Sequence, residues 1–520
     1  LDFATEWAAT LRSIGDSESA DVLEQVLRDE IRHVRSGWRW FREWTDVGAD
    51  PWEAFVASLP PRVLPRHARG TRLHRAPRRA AGLDESFIDR LATTGGSRGR
   101  PGRLVVFNPG CEESLVTGES VPSKAARQTA IDLSLMLVAL TREEDCLLVP
   151  EPPDPSRLAR LCAAGFTLPE LAVSGIPVGE APDAVLARRR FGGLRPWGHV
   201  PELDRRLAPL RSRLSTGAGA PELSSCPASM DTFYRKSRGQ ELARAHALEG
   251  SESSWTVRDL DAWAATMGRA SLEGRRRVVL KADLGASGRG QRRTQAWPPD
   301  DGDERFAASI LRRQGALIIE AWHERVLDLS LHFTVLGPEQ VRFDGATRFV
   351  VDDRGQYEGS VLGPWRQGLS ADVQRALATE CPDLDARFQI LVQLIGKDLA
   401  GRGFLGPASL DSYLYRGPED GSLHWRALVE INPRWTMGRL ALALGRRHLS
   451  RRSRGELRVF SGGSVHEEGQ RLEAAYPLVM EPQQDRPRIA SGALVLSQTT
   501  PRTRLAAVLL AGAALEDTRS

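Results

Sequence analysis

The feature that most restricts what this chain can become is a pair of strand-like runs around a polar turn at 410–438, LDSYLYRGPEDGSLHWRALVEINPRWTMG. Side chains alternate between the two faces of a strand, so Glu430 and Asn432, two apart, project together. Asp411, on the run before the turn, joins them if the two runs pair antiparallel. Two carboxylates and an amide on adjacent strands suit Mg2+, with Mn2+ as the alternative ion, because such a metal keeps an octahedral oxygen shell and takes phosphate oxygens as further ligands. Arg434 lies two residues beyond Asn432, spaced to reach a transferred phosphoryl group. The separation of Asp411 from Glu430 is long for a tight hairpin.

Upstream, RRVVLKADLGASGRGQRR (276–293) reads as a buried strand, Val278 to Leu280, delivering Lys281 ahead of a loop that holds Gly285, Ser287, Gly288 and Gly290. Glycine permits positive φ and close approach, so such a loop can lay backbone N–H groups around phosphate oxygens, and Lys281 adds a point charge. The spacing is neither that of a P-loop nor of a Rossmann turn. Between these blocks lies ALIIEAWHERVLDLSLHF (316–333), a strand and its continuation carrying Glu320 and Asp328. Earlier, FYRKSRGQELA (233–243) places Lys236 just before a helix. The segment FDGATRFVVDDRGQYEGSVLGPW (343–365) has the pattern of a β-hairpin turning at DDRG, in which Arg348 and Tyr357 either orient a carboxylate or pack as cross-strand partners. Each residue alone has an ordinary explanation: Lys281 as a salt-bridge partner of Asp283, Glu320 and Asp328 as strand-end charges, Arg434 as a surface guanidinium. Their order is what carries information.

In that order, lysine, glycine loop, hinge acid, Asp, then Glu-x-Asn-Pro-Arg, the chain resembles the ATP-grasp superfamily across roughly residues 103–515. The resemblance implies an α/β (α+β) fold, with a pre-ATP-grasp α/β domain at 103–215 and an ATP-grasp domain at 230–520. It implies a glycine loop, Gly285 to Gly290, closing over the triphosphate of ATP. Lys236 and Lys281 would be its phosphate-binding lysines, Glu320 would lie at the adenine amino group and Asp328 at the ribose. Asp411, Glu430 and Asn432 would hold the metal, and Lys281 and Arg434 would stabilise the reacting phosphoryl group. The implied activity is ligation of a small-molecule carboxylate to an amine through an acyl phosphate, releasing ADP and phosphate. The arginine-rich loop (Arg289, Arg292, Arg293) departs from the family pattern. In the preceding α/β unit, Asn108, Glu112 and Glu113 follow a strand, where α/β sheets collect ligands; turn residues with solvated acids are the plainer expectation there.

Residues 1–60 have helical periodicity, broken into two helices by GDSESA at 15–20, with Asp16 or Ser17 able to cap the second. Residues 61–102, rich in Pro, Arg and Gly, read as a linker containing one short helix near 84–93. On the second N-terminal helix Glu30 and His33 share a face at i, i+3. With its flanks, this unit resembles the last helix of a ferritin-like family related to tRNA-hydroxylating di-iron proteins, which implies iron at Glu30 and His33. That family needs two Glu-x-x-His units, and one is present; Glu6 and Glu24 are the other nearby acids. A second reading follows: a di-iron redox or hydroxylase protein whose C-terminal part only binds nucleotide. The missing helices are expected upstream of residue 1, a Leu that falls straight into the helical pattern, or else this ferritin-like remnant docks on the ligase or on a second copy as a homodimer.

Lys and Arg total 71 against 67 for Asp and Glu, a near-balance that gives no electrostatic reason to expect a nucleic-acid partner. No apolar stretch is long enough to span a bilayer, and no signal peptide opens the chain. Five scattered cysteines without CxxC spacing read as reduced thiols of a cytoplasmic protein.

Overall fold

The computed structural model describes residues 1–46, 48–59, 65–70, 73–93, 102–118, 122–180, 186, 191–213, 230–285, 290–295, 297–352, 355–481 and 487–517. It is a mixed α/β structure with parallel and antiparallel sheets and a helical N-terminal region.

At the N-terminus, α1 (Asp2–Ser13) and α2 (Ser17–Trp44) form a helical hairpin in which the Asp16 side chain caps α2 by accepting from the Ser19 N–H at 3.1 Å. Helix Glu85–Thr93, which the sequence suggested near 84–93, and a further helix, Arg75–Ala80, add to this body where composition suggested a linker. Two side-chain interactions explain the difference. Asp2 is buried against the guanidinium of Arg78, and Trp38 of α2 meets Phe87 edge-on at 4.6 Å within a small aromatic core that includes Trp52 and Phe55.

The first sheet is parallel and four-stranded: β1 (Leu104–Val106), β2 (Cys146–Val149), β3 (Glu170–Val173) and β4 (Leu194–Pro196), in the order β3-β2-β1-β4. Both β1 and β2 are buried throughout, as strands covered on two faces should be. With β2 on one side of β1 and β4 on the other, the loops leaving β1 and β4 meet: the Asn108 amide donates to the Gly198 carbonyl at 2.8 Å and accepts from its N–H at 3.2 Å. Such a reversal of strand order is where α/β sheets open a crevice.

The second sheet is antiparallel, β5 (Ser254–Val257), β6 (Arg277–Ala282), β7 (Gln291–Gln295) and β8 (Leu317–Ala321), in the order β5-β8-β6-β7. Val278, Leu280, Leu317 and Ile319 pack with Trp255 and Trp263 into a core of their own, which fixes β6 and β8, the bearers of Lys281 and Glu320.

The third sheet has nine strands: β9 (Arg325–Gly337), β10 (Gln340–Val351), β11 (Tyr357–Leu362), β12 (Gly406–Arg416), β13 (Leu423–Asn432), β14 (Gly455–Ser461), β15 (Val479–Glu481), β16 (Arg488–Val495) and β17 (Leu505–Ala511). Their order is β13-β12-β9-β10-β11-β14-β17-β16-β15. The wide separation of Asp411 from Glu430 comes from strand length, not from a loose turn: β12 and β13 pair from Ser409↔Asn432 to Arg416↔Leu423, with a register shift between Asp411 and Tyr413. The apolar run near the C-terminus is the strand β17.

Candidate active site

Strand register builds the oxygen cluster. Asp411 of β12 lies opposite Glu430 of β13 on one side and Ser330 of β9 on the other. The Asn432 amide donates to Asp411 Oδ2 at 3.0 Å, and the Ser330 hydroxyl donates to Oδ1 at 3.0 Å. Burial, followed by the charge of Glu430, pushes the Asp411 carboxyl up to about 7, and these two hydrogen bonds offset only part of that rise. The sheet therefore holds two carboxylates side by side and penalises the second negative charge. Such a donor set fits a divalent cation, which offsets both costs at once.

Lysines close the cluster from the other side. Lys236 opens helix Lys236–Ala245, and its ammonium lies 3.2 Å from Glu430 Oε1 while donating to the Gly285 carbonyl at 2.6 Å. One side chain thus ties the start of the glycine loop to the carboxylate pair. At the other end of that loop Gly290 has φ +71°, accepts the Ala282 N–H at 2.8 Å, and would bring an added Cβ to 3.1 Å from the Ala282 methyl. Ser287 and Gly288 lie outside the described residues.

Lys281 on β6 donates to Glu320 Oε2 on the adjoining β8 at 2.5 Å, and Gln240 holds Glu320 Oε1 at 3.3 Å. Both members of this pair are buried. Burial lowers the Lys281 ammonium below its ordinary value despite the opposing charge of Glu320. Burial raises the Glu320 carboxyl, but the Lys281 charge and then that of Arg426 outweigh it, and the carboxylate stays ionised. Arg426 is itself fully buried, donating to the Gly250 carbonyl, to Gln240 Oε1 at 3.2 Å and to Ser254 Oγ at 2.8 Å.

Arg434 is brought in by the first α/β unit. Its Nε donates to Glu112 Oε1 at 2.5 Å, its backbone forms an isolated antiparallel bridge with Gly198, and the next N–H, of Trp435, donates to the Trp197 carbonyl at 2.8 Å. Burial opposes ionisation of Glu112, yet the Arg434 charge and a hydrogen bond from Cys111 hold its carboxyl below the usual range. The expectation of a solvated loop acid fails at Glu112: it is buried, and it anchors a site arginine across the two sheets.

Other candidates lie differently. Asp328 pairs with Arg325 at 2.7 Å. Arg348 donates to the Gln367 carbonyl at 2.5 Å, and the Tyr357 hydroxyl meets Ser360 at 2.8 Å, which is packing within the β10–β11 hairpin region. Glu30 and His33 approach each other at 3.5 Å on the exposed side of α2, with side chains 47% and 73% exposed. No cluster of three or more His, Cys, Asp or Glu side chains able to hold a metal occurs among the described residues. Sequence reasoning missed Ser330, Gln240, Arg426 and the role of Glu112. Ser330 left a trace: it sits two residues beyond Asp328 on a run already recognised as a strand.

Residues 1–89 match the family described as DUF455, a protein of unknown function. No curated protein matches the chain. Among solved structures the chain is similar to N5-carboxyaminoimidazole synthetase from Staphylococcus aureus, at 9% identity and a TM-score of 0.42 over 80% of this chain and 95% of that one. It is also similar to a biotin carboxylase complex from Campylobacter jejuni, at 12% identity and a TM-score of 0.43 over 80% and 89%. A third likeness is to D-cycloserine synthetase DcsG, at 16% identity and a TM-score of 0.36 over 66% and 99%. No helix among the described residues is long and apolar enough to cross a membrane.

Proposed function

We propose that this chain is an ATP-dependent ligase of the ATP-grasp type, joining a carboxylate to an amine. The observation that carries the reading is the Lys236 bridge: one ammonium touches both the glycine-loop carbonyl of Gly285 and the Glu430 carboxylate, which itself faces Asp411. A glycine loop and a carboxylate–amide cluster brought to one lysine ammonium suit a nucleotide triphosphate and its divalent cation bound together.

In this reading Asp411, Glu430 and Asn432 would hold Mg2+, which when bound supplies charge neutralisation at phosphate oxygens. Lys236 and Lys281 receive the phosphates, and Lys281 can do so because Glu320 and Gln240 fix its strand-borne side chain in a dry site. The backbone of the strand bearing Glu320 would meet the base, with Glu320 near its amino group, and Asp328 the ribose. The acceptor carboxylate oxygen attacks the terminal phosphorus, the bond to the ADP oxygen breaks, and Arg434, held by Glu112, offsets charge spreading over the equatorial oxygens. The amine nitrogen then bonds to the acyl carbon, phosphate leaves with its electron pair, and the nitrogen loses a proton.

The test is ATP-dependent phosphate release across a panel of amino acids and small carboxylates with amine acceptors, in the wild type and in Glu430→Gln. Release that needs both a carboxylate and Mg2+ and disappears in Glu430→Gln is expected. Full turnover in Glu430→Gln would remove the metal assignment.

A further inference from the structure

Helix α2 presents two apolar faces, of which the described residues cover one. On the covered face Trp38 stacks on Phe41 of the same helix at 5.4 Å and meets Phe87 edge-on at 4.6 Å. A second set, Val22, Val26, Trp40 and Trp44, is 63, 41, 42 and 80% exposed. These positions differ by multiples of about 3.6 residues, so with His33 and Gly37 they fall within one stripe about 60° wide along the whole helix. Ala20 is the one buried residue of α2, a helix of 28 residues. Four large apolar side chains aligned on a solvated helix mark a contact surface, whereas scattered single ones would not.

The charges of α2 say what fits that surface. Residues 17–30 carry Glu18, Asp21, Glu24, Asp29 and Glu30 against one arginine, Arg28; residues 31–44 carry Arg32, Arg35, Arg39 and Arg42 against one acid, Glu43. The helix dipole favours acids in the first turn and bases in the last, but it does not reach the middle, where Asp29, Glu30, Arg32 and Arg35 keep the same polarity. By the periodicity of the helix, Glu18, Asp29, Arg32 and Arg39 flank the stripe on one side. A helix that is acidic in one half and basic in the other is complementary to itself when turned end for end.

We propose that the exposed stripe of α2 is the interface of a homodimer in which two α2 helices pack antiparallel about a two-fold axis near the helix midpoint. That symmetry sets Val22 and Val26 against Trp40 and Trp44 of the partner subunit, large against small, and sets each acidic half against a basic one. A parallel pairing would oppose like charges along the full length. The pairing is separate from the nucleotide site, since no residue of α2 enters it.

Sedimentation velocity of the full chain at micromolar concentration is the test. Wild type is expected at twice the 57.2 kDa of one chain. Trp40→Glu with Trp44→Glu is expected at the mass of one chain, with dimerisation weakened at least about 100-fold and circular dichroism unchanged. As a check independent of the tryptophans, Glu18→Arg with Asp29→Arg should separate the subunits, and adding Arg32→Glu with Arg39→Glu to those two should restore the dimer. A wild type that sediments as one chain overturns the proposal, whatever else covers the stripe. So does a dimer that survives the tryptophan substitutions, or a charge reversal in both halves that fails to restore it.

Discussion

Two acid-bearing groups, one near each end of the molecule, reach opposite outcomes. Glu30 and His33 are three residues apart on one helix, and helix geometry alone brings them to 3.5 Å. Asp411 and Glu430 come from different strands, and only the β12–β13 register, with Ser330 of β9 and Lys236 from a helix, assembles their surroundings. A pair that any helix would make carries little information about purpose. A cluster that needs four separated segments, and that leaves one carboxyl strongly reluctant to ionise, is harder to explain as a by-product of folding.

The largest effect that sharpens this contrast is expected for Glu430→Gln, which should cost on the order of 10³-fold in ATP-dependent phosphate release while leaving the thermal midpoint close to wild type. A variant equally active would reduce the strand cluster to the status of the helix pair. Next in size is Glu112→Ala, which leaves the Arg434 guanidinium buried without its partner. It should destabilise the protein by about 3 kcal/mol, read from denaturant unfolding, and lower kcat more than it raises KM. If Glu112→Ala and Arg434→Ala were strictly additive, the two groups would not act as a pair.

A smaller effect concerns protons. The Asp411 carboxyl sits at about 7 in the folded protein, against about 3.9 when unfolded. The native state thus binds this proton more tightly, and in a chelator the Asp411 contribution to stability is fully present below about pH 4 and is lost as pH rises toward about 7. Mg2+ should flatten that fall, since a cation removes the penalty on the ionised form. Melting temperatures across pH 5 to 8, with and without Mg2+, measure it; the same slope in Asp411→Asn would assign it to another group. The smallest effect is expected for Glu30→Gln and His33→Ala, each within about 0.5 kcal/mol of wild-type stability and without change in iron content by elemental analysis. Loss of tightly bound iron in either variant would reverse the comparison.

Much of the frame was legible because it is written in local pattern. The alternation that sets Glu430 beside Asn432, the apolar run before Lys281 and the hairpin turning near Asp352 all depend on neighbours within a few residues. Glu112 was misread for the opposite reason: its partner Arg434 is more than 300 residues away, and nothing in FNPGCEESL signals that the following turn will be buried. Glu320 shows the same limit. Its place on a strand follows from the sequence, but its bond to Lys281 depends on β8 lying between β5 and β6, an order that local periodicity does not encode. In residues 61–102 the helix near 84–93 was legible, whereas composition concealed Arg75–Ala80, because Pro, Arg and Gly also flank short helices held by a few side-chain contacts.

The ammonium of Lys236 is already engaged at both of its contacts. Under the proposed function a polyphosphate would exchange partners with it, so the net gain would be the difference between two attractions and not the whole of one. Glu430 can give up that ammonium without stranding its own charge only where another cation takes the relinquished position. Triphosphate and divalent ion should therefore each bind weakly alone and strongly together, a thermodynamic coupling that resides in one side chain.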